Sequence, residues 1–211
     1  MLTAIDTGEQ RIFLQGISWN LYENLLAELG DDGKARLSYY QGDLEFMTPL
    51  FAHENYNRQI ERAIVLLAEE LNRDYALAGS ITIKRPDLES GKEPDSCYYI
   101  ANESAVRGKT KLDFTQDPPP DLAVEIDITS SSLNQLALYA TLGVGEVWRH
   151  NGSDLMFYQL RSGKYAVVDR SPTFPTLSPD RVLEFLADCQ ADGINQAVKN
   201  LRGWIQANLQ K

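Results

Sequence analysis

Residues 118–132 read Pro-Pro-Pro-Asp-Leu-Ala-Val-Glu-Ile-Asp-Ile-Thr-Ser-Ser-Ser. From Leu122 to Ile128 the run is apolar except at Glu125 and Asp127. A near-continuous apolar run of this length suits a central strand covered on both faces. The prolines mark where it begins, and the serines that follow offer N-caps for a helix over 133–142, which Gly143 would stop. Strand, short helix and then a second apolar run over 144–150 predict a strand–helix–strand unit, the signature of an α/β or mixed-sheet domain.

Outward from that unit, the chain supplies the remaining layers. Apolar residues at 21, 25, 26 and 29 predict a helix that Gly30 ends. Residues 36–40, then Gln41-Gly42-Asp43, then 44–47 read as a hairpin with a Gly turn. Ile60, Ala63, Ile64, Leu67, Ala68 and Leu71 form a helical stripe over 54–72. Residues 79–84 read as one strand, 85–92 as a polar turn, 95–100 as a strand and 101–120 as a loop. Asn151-Gly152 is a strong hairpin signal. With 154–160 and 165–168 it gives a three-stranded meander. Ser178-Pro179-Asp180 starts a helix, and a last helix is expected over 193–208. No repeat or linker divides the chain, so residues 1–211 are expected to form one domain with C-terminal helices over 178–209.

The 211 residues are enough for a real core. No run approaches a membrane span, and no signal-peptide pattern opens the chain, so a cytoplasmic protein is the expectation. Cys97 and Cys189 are isolated, which excludes a zinc ribbon. His53-Glu54 resembles the start of a zinc-protease motif, but position 57 is Asn, so the second ligand is missing. A net charge of −10 argues against a protein that coats nucleic acid by bulk charge. It leaves room for a nuclease, which needs local carboxylates and a few local cations.

Carboxylates are costly to bury unless paired, protonated or bound to metal. Two acidic clusters lie on apolar runs: Glu93-Pro94-Asp95 before 96–100, and Asp121 with Glu125 and Asp127. Neighbouring strands carrying Asp95 and Glu125 predict one divalent-metal site, with the Ile126 carbonyl as a third oxygen. Asp127 lies two residues from Glu125 and shares its strand face. Glu45 on the hairpin is a further candidate, and His53 near the start of the long helix lies within reach of it. Pairing of these acids with buried Arg or Lys is the alternative.

These blocks resemble the PD-(D/E)XK nuclease-like superfamily, and more closely the Uma-type family named as putative restriction endonucleases. The matching residues run from about 17 to 169. They include Gly42-Asp43-Leu44-Glu45 through Pro49, His53-Glu54, Glu93-Pro94-Asp95 before Cys97, Asp117 through Glu125, Ile128 through Tyr139, and Gly143 through Trp148. The resemblance implies a restriction-endonuclease-like core, a mixed sheet flanked by helices, often dimeric. It implies Mg²⁺- or Mn²⁺-dependent cleavage of DNA, with Asp95 and Glu125 as ligands. It also implies a lysine two residues after the second acid, where this chain has Asp127. In relatives of this type a basic residue four positions before a Tyr stands in for it. Here that position is Gln135, four before Tyr139. Lys84 is a candidate replacement.

Two functions fit these residues: a metal-dependent DNA endonuclease, and a nuclease-fold protein that binds metal, nucleic acid or a partner without cutting. A hydrolase of a small phosphorylated molecule ranks below both, for no phosphate loop exists. Arg107, Lys109 and Lys111 form the densest basic stretch, which reads first as a solvated loop and otherwise as the candidate contact to a phosphate backbone.

Overall fold

The computed structural model describes residues 10–30, 35–128 and 133–208. Among these, eleven strands form two sheets. The first joins β1 (Gln10–Leu14), β2 (Arg36–Tyr40), β3 (Asp43–Thr48), β5 (Ile83–Arg85) and β6 (Ser90–Lys92) in the order β1-β3-β2-β6-β5, all antiparallel. The second joins β4 (Ala76–Gly79), β7 (Ser96–Tyr99), β8 (Leu122–Ile126), β9 (Glu146–His150), β10 (Leu155–Arg161) and β11 (Lys164–Val168) in the order β11-β10-β9-β8-β7-β4. Its β8–β9 pair is parallel and the others are antiparallel. This is the expected mixed sheet, with the predicted meander as one side of it.

The apolar run over 122–126 is β8, buried at every position. Leu122, Val124 and Ile126 pack with Ile60, Ile64 and Leu67 of helix α2 (Phe51–Glu70). Ala123 packs with Leu138, Tyr139 and Leu142 of helix α4 (Gln135–Leu142). Strand alternation therefore turns Glu125 toward the α4 side. Helices α5 (Pro179–Asp192) and α6 (Ile194–Asn208) join the α2 layer through Phe185, Leu201 and Ile205. Ser178 caps α5 by accepting from the Arg181 N–H at 3.3 Å, with Pro179 in the first turn.

Helix α1 (Trp19–Leu29) covers the first sheet. Ser18 accepts from the Leu21 N–H at 3.2 Å, and Gly30 ends the helix at φ 63°. Tyr22 stacks on Tyr39 with centroids 5.0 Å apart. Gly91 of β6 permits this docking, since a Cβ there would fall inside contact distance of the Tyr22 hydroxyl.

Four expectations change. The single strand over 79–84 is two strands in different sheets. Gly79 adopts φ 59° and the Ile81 N–H closes a turn on the Ala78 carbonyl, so pairing breaks at Ser80–Thr82. The polar turn over 85–92 contains β6, whose Ser90, Gly91 and Lys92 are buried by pairing with β2. The loop over 101–120 carries a short helix α3 (Glu103–Val106). Strand β1 was not expected at all. The serine caps at 130–132 lie outside the described residues; Asn134 caps α4 by accepting from the Ala137 N–H at 3.1 Å.

Candidate active site

The site forms where the chain leaves one sheet for the other. Lys92 ends β6, Glu93-Pro94 make the corner, and Asp95 immediately precedes β7. The corner is pinned from β2. The Leu37 N–H donates to Glu93 Oε2 at 2.7 Å, the Glu93 N–H donates to the Leu37 carbonyl at 3.1 Å, and Arg36 donates to the Pro94 carbonyl at 2.9 Å. Glu93 thus serves as a backbone clamp.

Ser96 pairs with Val124, so continuing the antiparallel register by one residue sets Asp95 opposite Glu125. Both are almost fully buried, at 1% and 3% exposure. Asp95 Oδ2 accepts from the Ile126 N–H at 2.6 Å and lies 3.0 Å from His53 Nε2. Asp95 Oδ1 lies 2.9 Å from an Arg36 guanidinium nitrogen yet accepts no hydrogen bond. Asn57 of α2 donates to the Asp95 carbonyl at 3.0 Å and accepts from Ser96 Oγ at 2.8 Å. Tyr98 donates to Ser96 Oγ at 2.8 Å, which completes a buried polar brace behind the acid.

Glu125 Oε2 accepts from Lys92 Nζ at 3.0 Å, and Glu125 Oε1 accepts from the Tyr139 hydroxyl. Lys92 also donates to Ser38 Oγ at 3.1 Å and sits 5.7 Å from the Tyr139 ring centroid. The two acids are pushed in opposite directions. Burial alone raises the Asp95 carboxyl, but His53, the Arg36 guanidinium and Lys92 together hold it below the usual carboxylate range. Burial raises the Glu125 carboxyl; Asp95 and Asp127 push the same way, and Lys92 and Tyr139 do not cancel the rise. Burial, reinforced by Glu125, keeps the Tyr139 phenol protonated and hence a donor.

A second cluster adjoins the first. Asp127 accepts from Arg149 at 2.7 and 2.9 Å and from Arg11 at 3.2 Å. Arg11 reaches on to Glu45 at 2.9 Å, and Gln135 donates to the same Glu45 oxygen at 3.2 Å. Asp127, Glu45 and Gln135 therefore join one ion-pair network through Arg11. His53 turns toward Asp95, not toward Glu45. Lys84 pairs with Glu23 at 3.2 Å, both side chains being exposed, and so does not replace the missing lysine. The ammonium set against Glu125 is that of Lys92. Its place in a segment read as a polar turn hid it; its spacing of three before Asp95 was the only signal.

The basic stretch lies elsewhere. Arg107 pairs with Glu103 and Asp74, and Lys109 with Asp117. Lys109 and Lys111 border a pocket beside Tyr99, at the far end of β7, about 13 Å along the strand from Asp95. Nearer the site, an open groove of about 830 Å³ is bordered by Leu29, Thr48, Glu54, Thr82 and Glu93. Arg36 forms part of its wall and connects it to Asp95.

The donors suit a Mg²⁺-class ion in kind. Two facing carboxylates and a strand carbonyl are hard oxygen ligands, and the buried Asp95 Oδ1 has accepting capacity left over. Among the described residues, no group of three His, Cys, Asp or Glu side chains forms a ready-made cage. The fit is to an ion that keeps several waters, as Mg²⁺ does.

A family model described as "Uma2: Putative restriction endonuclease" matches residues 19–190. No curated protein matches the sequence. Among solved structures, the chain is similar to one described as a putative nuclease belonging to DUF820 from Anabaena variabilis ATCC 29413. The TM-score is 0.51 at 14% identity, covering 90% of this chain and 99% of that one. At that identity the likeness is one of fold, and it bears out the expected nuclease-type architecture. No helix among the described residues is long and apolar enough to cross a membrane.

Proposed function

The chain belongs to the Uma2 family of putative restriction endonucleases, and from that premise we propose that it is a Mg²⁺- or Mn²⁺-dependent endonuclease that hydrolyses phosphodiester bonds in DNA. The observation that carries this is the register that sets Asp95 opposite Glu125, with the Ile126 N–H donating to the Asp95 carboxylate. Asp95, Glu125 and the Ile126 carbonyl hold the ion in this reading. When bound, the ion supplies a Lewis acid for the phosphate and acidifies water at neutral pH.

The protein's own groups do the positioning. Asn57 and the Ile126 N–H fix the Asp95 backbone and carboxylate. Tyr139 and Lys92 fix Glu125 from two sides. Arg36 stands between Asp95 and the groove, which is the approach for the phosphate backbone. In the reaction a water oxygen bonds to phosphorus while the bond from phosphorus to the leaving sugar oxygen breaks in line. The water gives a proton to solvent, and the leaving oxygen takes one. The same proposal takes residues 1–211 as one domain, a homodimer in solution and a cytoplasmic setting.

One observation favours a second reading, a nuclease fold that binds without cutting. Both Glu125 oxygens are already engaged, by Lys92 and Tyr139, and the positions of the expected lysine hold Asp127 and Gln135. Incubation of the chain with supercoiled plasmid and Mn²⁺, beside Asp95→Asn, separates the two. Nicking by the parent chain and loss of at least 100-fold in the variant supports the nuclease. Equal behaviour of the two proteins refutes it.

A further inference from the structure

We propose that Lys92 is the catalytic cation of this site, donating to an oxygen of the phosphate under attack. An ammonium has three N–H donors. One goes to Glu125 Oε2 at 3.0 Å and one to Ser38 Oγ at 3.1 Å. The third has no hydrogen-bond partner among the described residues, in a side chain only 5% exposed. A buried donor left over beside a candidate metal ligand is costly unless something is there to receive it during function.

The other cations nearby are committed. Arg36 is divided among Glu54, the Pro94 carbonyl and Asp95. Arg149 and Arg11 converge on Asp127, and Arg11 also holds Glu45. Lys84 faces Glu23. Lys92 alone among these sets an ammonium against Glu125. It arrives from the other sheet, three residues before Asp95, so one corner of the chain delivers both an acid and the cation.

Phosphoryl transfer gathers negative charge on the phosphate oxygens, and a preorganised cation in a dry site stabilises that charge strongly. Lys92 gives up no proton in this role. The bond made is water oxygen to phosphorus, the bond broken is phosphorus to the leaving oxygen, and both protons are exchanged with solvent.

The proposal rests on the nuclease reading, and its test separates the two. Plasmid cleavage with Mn²⁺ is measured for the full chain, Lys92→Met, Lys92→Gln and Lys92→Arg, with Mn²⁺ binding followed by calorimetry and folding by urea titration. Lys92→Gln keeps a donor beside Glu125 and Ser38 while removing the charge, and decides the matter if the Met variant does not fold. Both neutral variants are expected to lose at least 100-fold in kcat with KM changed less than threefold. They should bind Mn²⁺ at least as tightly as the parent, because a competing cation is gone from Glu125. Lys92→Arg should recover at least tenfold over Lys92→Gln. A folded, Mn²⁺-binding Lys92→Gln that cuts at the parent rate overturns the role of Lys92 and leaves the nuclease standing. A parent chain that does not cut overturns both.

Discussion

Lys92 Nζ lies 3.0 Å from Glu125 Oε2 with both side chains buried, so the cation beside the second acid comes from a different sheet. Breaking a buried pair from one side leaves an uncompensated charge, which typically costs about 3–5 kcal/mol. Lys92→Met and Glu125→Gln are each expected to destabilise the fold, and the double variant by clearly less than their sum. A double-mutant cycle in urea should give a coupling on the order of 2 kcal/mol. Additive losses would show that the two groups do not interact in solution.

Asn57 braces Asp95 from behind, through the Asp95 carbonyl and Ser96 Oγ. Asn57→Leu keeps the volume, takes its donor from the Asp95 carbonyl and leaves the Ser96 hydroxyl proton without its acceptor. The expected loss is about 1–3 kcal/mol. Because outer-sphere supports orient ligands, Mn²⁺ affinity should also fall about 10-fold or more. Calorimetry on Asn57→Leu, with unchanged affinity, would show that the brace does not position the acid.

His150 closes β9 beside Ile126, and its Nδ1–H donates to the Asp154 carbonyl at 2.9 Å. Burial lowers its pKa from the ordinary 6.5, only partly offset by the Asp154 carbonyl and carboxylate. The unfolded chain therefore takes up the proton more readily than the folded one. The stability contribution of His150 is complete above pH 6.5 and is lost as pH falls through the lowered folded value. Urea midpoints between pH 7.5 and 5 should decline less steeply for His150→Gln than for the parent, and parallel declines would contradict this.

Gly91 lies against the Tyr22 ring, with the hydroxyl as the nearest atom. Gly91→Ala overpacks that contact and is expected to cost about 1–3 kcal/mol. Adding Tyr22→Phe removes the nearest atom and should return part of the loss. A Gly91→Ala protein as stable as its parent would mean that α1 and β6 pack more loosely than described.

The layers around β8 were legible because it is apolar apart from Glu125 and the helix stripe over 54–72 keeps a 3.6-residue period. Asp95 and Glu125 stood out for the same physical reason, as charges on buried strands. Strand β1 escaped notice because it is a five-residue edge whose partner β3 lies beyond an intervening helix, so only tertiary pairing defines it. Lys92 escaped for a related reason. Ser90-Gly91-Lys92 has little strand propensity, and β6 exists because β2 and β5 flank it. The ties of Asp127 to Arg149 and Arg11 are also long-range, and no local pattern announces them.

Asp95 and Glu125 are proposed to hold one divalent ion between them. Crystals soaked in Mn²⁺ and measured at the manganese absorption edge test it without reference to substrate. A single anomalous peak within about 2.1 Å of an oxygen from each carboxylate is expected. A peak bound only at Glu45 or Asp127, or none between Asp95 and Glu125 at saturating Mn²⁺, would contradict it.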